Sequence, residues 1–176
     1  RWMEANKQLR PAAGPSPGDE AQLYQMIVGA WPTTLAPDDA AGCKAFAERL
    51  AGWQQKAIRE AKLQGDWTGP DETYETAARD FLHSLLTPGG PFARDAAAFA
   101  QRIAPAGAVN SLAQTLVKLT APGVPDFFQG TEFWDFSLVD PDNRRPLDFA
   151  ARAEALRVAA TPVELAAAWR DGKVKQ

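Results

Sequence analysis

Apolar residues recur at three- and four-residue steps over most of the first 120 positions, the period of helices that bury one face. Leu23, Ile27 and Ala30 keep this spacing, and Trp31-Pro32 closes the run. Ahead of them Ser16-Pro17-Gly18-Asp19 supplies an N-cap hydroxyl, a proline at the first helical position and an acid at the third. A longer segment, from about Asp38 to Leu63, carries Phe46, Leu50, Trp53, Ala57 and Ala61 on one face and a charged remainder. Tyr74, Ala78, Phe81 and Leu85 mark a third helix that stops at a Thr-Pro-Gly-Gly turn. Two more runs are predicted around 92–103 and 108–119, and residues 1–9 read as the tail of a helix.

After Leu119 the pattern changes. The stretch to Phe149 is rich in proline and aromatic residues and has almost no helical period. Val124 to Gln129 is predicted as one short strand, because proline biases its neighbours to extended geometry. The rest reads as a long loop, too apolar with Phe127, Phe128, Phe133, Trp134 and Phe136 to be a plain linker. Helix resumes near Phe149. Thr161-Pro162-Val163-Glu164 is a capping box that opens a last helix to Trp169, and Asp171-Gly172 turns the chain as if into a strand.

Composition narrows the function classes. Across 176 residues, a hydrophobic fraction of 45% and a charged fraction of 23% are those of a globular chain. A formal charge of −3 disfavours nucleic acid or any other polyphosphate as partner. The single Cys43 excludes an intrachain disulfide or a cysteine-rich zinc site. No apolar run approaches the ~18 residues that cross a bilayer, so no membrane partner is expected. The chain opens on Arg1 and shows no export signal, so it is expected to be a cytoplasmic piece of something longer.

Candidate chemistry is sparse. His83 is the only histidine, and a catalytic triad or a histidine metal site would have to be built on it alone. Cys43 near a helix start reads as a packing residue. The glycines form no phosphate-cradling pattern. The exception lies between Asp126 and Asp148. That stretch gathers Asp126, Glu132, Asp135, Asp140, Asp142 and Asp148 with Asn143, Arg144 and Arg145 among aromatic rings. Carbohydrate sites have this make-up: rings stack on sugar C–H faces while planar amides, carboxylates and guanidinium groups bond vicinal hydroxyls. The competing reading is that Arg144 and Arg145 pair with nearby acids to hold the loop.

PGVPDFFQGTEFWDFSLVDPDNRRPLDF at 122–149 resembles the last barrel strand and following loop of the α-amylase superfamily, glycoside hydrolase family 13. GAWP at 29–32, KAIREAKLQGDW at 56–67, PDETYE at 70–75 and WRDGKVK at 169–175 are similar to one family within it, the maltooligosyltrehalose synthases. The matches run in order along nearly the whole chain. DPDNRRP by itself indicates only the superfamily; its combination with GAWP and KAIREAK is more specific.

The resemblance implies a retaining intramolecular transglucosylase, an isomerase of trehalose biosynthesis. Such an enzyme converts the reducing-end α-1,4 link of a maltooligosaccharide to α,α-1,1 through a covalent glycosyl-enzyme, keeping water out. It implies no cofactor and no metal. In the superfamily the catalytic carboxylates follow barrel strands four, five and seven, and no acid here occupies those motif positions. The chain is therefore expected to hold no catalytic residue and to be inactive alone. Its expected partners are the maltooligosaccharide and the remainder of the catalytic barrel.

The implied fold is mainly α: a helical bundle, the insertion domain, then one short strand and loop of a TIM-type barrel and two further helices. Residues 1–119 would be the insertion and the helix returning to the barrel, and 120–176 the last strand, the DPDNRRP loop and the C-terminal helices. Barrel sites lie at the C-terminal ends of strands. Gln129, Glu132, Asp140, Asn143 and Arg144 are thus placed to line the sugar pocket, with Lys56, Arg59, Lys62 and Trp67 as further candidates. The plain alternative for the last four is a solvated helix face. Without barrel neighbours, 122–148 is expected to be poorly ordered or rebuilt against another copy. Two rival readings remain: a stand-alone helical carbohydrate-binding or interaction module, and a fragment of another hydrolase of the superfamily.

Overall fold

The computed structural model describes residues 1–157 and 160–175. The chain divides into two compact units: Arg1–Gln101 with Ser137–Asn143, and Arg102–Phe136 with Arg144–Gln176. Seven α-helices are described: α1 (Trp2–Ala5), α2 (Pro17–Ala30), α3 (Ala40–Ala61), α4 (Glu72–Leu85), α5 (Pro91–Thr120), α6 (Phe149–Ala155) and α7 (Pro162–Ala167).

Helix starts follow the capping chemistry read from the sequence. Ser16 Oγ accepts from the Asp19 amide at 3.2 Å, Asp39 from Gly42 at 3.0 Å and Asp71 from Tyr74 at 2.9 Å. Each satisfies an amide that the first helical turn leaves unpaired. The α7 capping box is complete, with Glu164 accepting from the Thr161 amide at 2.8 Å.

In the first unit α2, α3, α4 and residues 91–101 of α5 close around one core. Leu23, Ile27, Leu50, Phe81, Leu82 and Leu85 are fully buried. On α5 the buried face is almost all alanine (Ala93, Ala96, Ala97, Ala100), which lets that helix come close. Trp2, Tyr24, Phe92 and Phe99 form an aromatic cluster with centroids 5.2–5.8 Å apart. Beside it Glu20, 0% exposed, is paired with Arg10 at 2.7 Å and accepts from the Tyr24 hydroxyl at 2.7 Å. Burial pushes the Tyr24 hydroxyl well above its ordinary value.

The pairing of α3 with α4 carries a second charged contact. Arg59 donates to Glu75 through Nε at 2.6 Å and Nη2 at 2.8 Å, and Gln55 adds a third bond at 2.9 Å. The Arg59 guanidinium holds the Glu75 carboxyl below the usual carboxylate range.

Three expectations need correction. The two runs around 92–103 and 108–119 are one helix, α5, with Pro105 inside it. Proline removes one helical bond, but Ala104, Ala106 and Ala108 around it are strong helix formers, and the helix continues. Val124–Gln129 forms no strand, and the described residues contain none; Val124 is 99% exposed, and a strand needs a neighbouring ladder. After Gly172 the chain forms a 3-10 turn, Lys173–Lys175, rather than a strand. Among the described residues no helix is long and apolar enough to cross a membrane, and no cluster of metal-ligating side chains exists.

Arg10→Ala leaves the Glu20 carboxylate buried and unpaired, and should lower the unfolding free energy by about 3 kcal/mol in urea titrations. The Arg59–Glu75 contact adds a pH signature. Because the folded Glu75 carboxyl lies below its unfolded value of ~4.3, its contribution is complete above that pH and is lost as pH falls through the folded value. The stability gap between wild type and Glu75→Gln should be widest near neutrality and narrow on acidification below that range.

Candidate functional site

Two parts of the aromatic and charged loop are held in different units. In the first unit, residues 137–143 lie against α3. Arg49 grips Asp142 with both arms, Nε to Oδ1 at 3.0 Å and Nη2 to Oδ2 at 2.9 Å. Asp142 Oδ2 also accepts from the Leu138 amide at 2.7 Å, closing the loop on itself. One turn pair further along α3, Lys56 Nζ donates to the Asp140 carbonyl at 2.9 Å. Positions 49 and 56 are seven apart and share a helix face, so one face of α3 holds the loop at two points. Leu138, 4% exposed, enters the helical core. Residues 137–143 of the 122–148 stretch are therefore built on α3, where the expectation was a stretch poorly ordered or rebuilt against another copy.

Asn143 sits in the 3-10 turn Asp142–Arg144, and its Oδ1 is buried without a hydrogen-bond partner. A carbonyl oxygen in that state will accept from any donor that reaches it. Arg144 ends the same turn and is exposed.

Just after α3 the chain makes a tight turn that displays an aromatic ring. Lys62 caps the helix in a left-handed conformation, with φ of 55°, and points no described bond into a site. The Asp66 carboxylate accepts from Thr68 N at 2.7 Å, Thr68 Oγ1 at 2.6 Å and Gly69 N at 2.8 Å. The Thr68 hydroxyl is the chief cause holding Asp66 below the usual carboxylate range. Gly65 lies at φ of 126°, and a Cβ there would meet the Asp71 amide at 2.7 Å. At the tip Trp67 is 56% exposed, with the Arg59 guanidinium 4.9 Å from its ring centroid. Arg59 thus joins Glu75 on one side to Trp67 on the other, and an open indole face remains.

The second unit holds residues 129–136. Gln129 is exposed. Glu132 pairs with Arg152 of α6 at 3.0 Å, and Arg152 also donates to the Gly130 carbonyl at 2.9 Å. Its own backbone amide, then Arg152, keeps the Glu132 carboxyl below the ordinary range. Arg152 lies 5.0 Å from the Phe133 ring centroid. From the C-terminal turns Lys175 donates to the Thr131 carbonyl, and Trp134 Nε1 donates to the Trp169 carbonyl at 2.6 Å. Gly172, at φ of 83°, allows the close approach, since a Cβ would meet Trp134 N at 2.6 Å. Burial lowers the Lys175 ammonium from its ordinary value.

Of the nine residues singled out from the sequence, Lys56 and Asp140 bond directly, and Arg59 and Trp67 are in contact. Asn143 follows the anchored Asp142. Gln129, Glu132 and Arg144 belong to the second unit. The residues that hold these candidates in place, Arg49, Glu75, Arg152 and Lys175, were not singled out. No local pattern marks their roles, because their partners lie far along the chain, although Glu75, inside PDETYE, and Lys175, at the end of WRDGKVK, sat in quoted motifs. His83 is half-exposed, 3.9 Å from Glu48, and Cys43 is buried with Sγ 3.5 Å from the Pro37 carbonyl. Burial and the nearby Asp39 and Asp38 push that thiol up, so the helix start does not activate it.

No protein-family profile matches the chain. It is 38% identical over 140 residues to the Mycobacterium tuberculosis protein named for maltooligosyl trehalose synthesis, covering 80% of this chain. A crystal structure of a maltooligosyl trehalose synthase superposes on 98% of the chain with a TM-score of 0.84 and 29% identity, covering 23% of that structure. The maltooligosyltrehalose synthase of Arthrobacter ramosus superposes on 89% with a TM-score of 0.69 and 37% identity, covering 19% of it. The chain spans only 17% of the length of the curated relatives it matches. In sequence and in fold, this chain is a homologue of one segment of the maltooligosyl trehalose synthases.

Proposed function

We propose that this chain is a segment of an intramolecular transglucosylase that converts the reducing-end α-1,4 link of maltooligosaccharides to α,α-1,1. Its part is pocket wall and lid, and the catalytic carboxylates come from the barrel that it completes. The observation that carries the reading is the superposition of nearly the whole chain on a solved synthase at a TM-score of 0.84. A second support is chemical: Trp67 offers an open ring for a sugar face, and Asn143 a buried acceptor for a hydroxyl.

On this reading residues 1–119 form the helical insertion and 120–176 return the chain to the barrel. The exposed Val109, Leu116, Val117 and Leu119 on α5, with Val124, Phe127 and Phe128, are then the surface that the remaining barrel covers. Gln129, Glu132, Asp140, Asn143 and Arg144 line the sugar pocket, with Lys56, Arg59, Lys62 and Trp67 at its edge. Walls of this kind exclude water, so the released glucose reattacks instead of diffusing away. The buried, reduced Cys43 accords with a cytoplasmic enzyme.

The test is a chimera in which this chain replaces the matching segment of the Arthrobacter ramosus synthase. It should form a non-reducing product from maltopentaose without shortening the chain, while the isolated 176 residues form none. Trp67→Ala in the chimera should lower kcat/KM at least tenfold, about 1.4 kcal/mol of transition-state stabilisation. A folded chimera that only hydrolyses the substrate, or an isolated chain that converts it, would contradict the reading.

A further inference from the structure

A cleft of about 260 Å³ opens between α3 and α4. It is lined by Gln54, Gln55 and Arg59 from α3 and by Glu72, Thr76 and Arg79 from α4. Residues 51, 54, 55 and 58 share one face of α3, whereas 49 and 56, which hold the 137–143 loop, share another. The cleft is therefore separate from the loop anchorage.

Its polar groups are unevenly committed. Arg59 and Gln55 are both used on Glu75, a clamp that fixes the floor. Gln54 is different: the side chain is 4% exposed, and its Nε2 has no hydrogen-bond partner. A buried amide donor left unpaired costs stability and is rare in folded proteins, so the Gln54 amide at this cleft keeps hydrogen-bonding capacity that no described residue uses. The side chains of Thr76, Glu72 and Arg79 make no hydrogen bond or ion pair among the described residues. They add a hydroxyl, an acceptor and a forked donor around the same space.

The charge pattern selects the ligand class. Two arginines face two glutamates, so the cleft offers no net field to a phosphate or a carboxylate. Interleaved donors and acceptors of both kinds match adjacent hydroxyls, each of which donates once and accepts as well. Ala51 and Ile58 supply a small apolar floor for C–H groups. The volume lies just under the ~300 Å³ lower end for small-molecule sites, enough for one ring rather than a chain.

We propose that the α3–α4 cleft binds one neutral sugar ring, with one hydroxyl on the Gln54 amide and its neighbour bridging Glu72 and Arg79. The site shares Arg59 with the edge of the proposed pocket and would tether a glucan, or admit a free monosaccharide, from the helical unit. Choosing a sugar over other neutral polyols rests on the proposed function; the chemistry of the cleft does not.

The test is a heteronuclear NMR titration of the whole chain with glucose and with maltose, and with inorganic phosphate for comparison. Sugar should give saturable millimolar shifts at the Gln54 side-chain amide and at the backbone amides of 72–79, and phosphate should not. Gln54→Leu removes the unpaired donor at similar volume and should weaken sugar binding at least tenfold while the fold is kept. Arg79→Ala, at an exposed position, should do the same and guards against a folding defect in the first variant. Absent shifts, shifts equal for phosphate, or unchanged affinity in Arg79→Ala would overturn the inference. An active chimera whose cleft stays silent overturns this inference alone; a cleft that binds sugar in a chain whose chimera only hydrolyses overturns the proposed function alone.

Discussion

Asp142 is bound by both arms of Arg49 and by the Leu138 amide, and the arrangement of residues 137–143 on α3 depends on that carboxylate. Two parallel N–H···O bonds fix orientation as well as distance, which a single lysine contact does not. With Asp142 fixed, Leu138 reaches the core and the Asp140 carbonyl comes to Lys56. A loop with no ladder of its own thus takes its shape from a helix. The helix in turn is held by the packing of Phe46 and Leu50 beneath it.

The same device recurs wherever irregular backbone must be kept in place. Arg152 and Lys175 take carbonyls of residues 130–133, and Asp66 gathers the amides of its own turn. Each is a charged group bonded to neutral backbone, stronger than a neutral pair and exacting in direction. Aromatic rings cover the cationic partners: Trp67 over Arg59, Phe133 over Arg152, Trp134 near Lys175. The outcome is a set of loops whose backbone groups are satisfied by charged side chains.

Much of the helical unit was legible in the sequence because its signals are local. Ser16, Pro17 and Asp19 start α2, Thr161 to Glu164 start α7, and the stripe from Phe46 to Ala61 places α3. The two runs around 92–103 and 108–119 flank Pro105, and one helix spans them because the alanines around the proline outweigh its effect. The strand at Val124–Gln129 failed for the opposite reason, since a strand's existence depends on neighbours that no local pattern supplies. The site divides the same way. Lys56, Arg59 and Trp67 stood in a motif, but the partners that set their roles, Asp140 and Glu75, lie 84 and 16 positions away. Pairings over such separations are a property of the fold, and Arg49 with Asp142, 93 positions apart, could not be read at all.

The central claim, that α3 holds the DPDN loop through Arg49 and Asp142, is most directly tested by amide hydrogen exchange at Leu138. Its N–H is committed to Asp142, so it should be protected in the wild-type chain. In Arg49→Ala that protection should fall at least tenfold while the Leu23 amide in α2 keeps its own. Rapid exchange at Leu138 in the wild type, or protection unchanged by the substitution, would contradict the account.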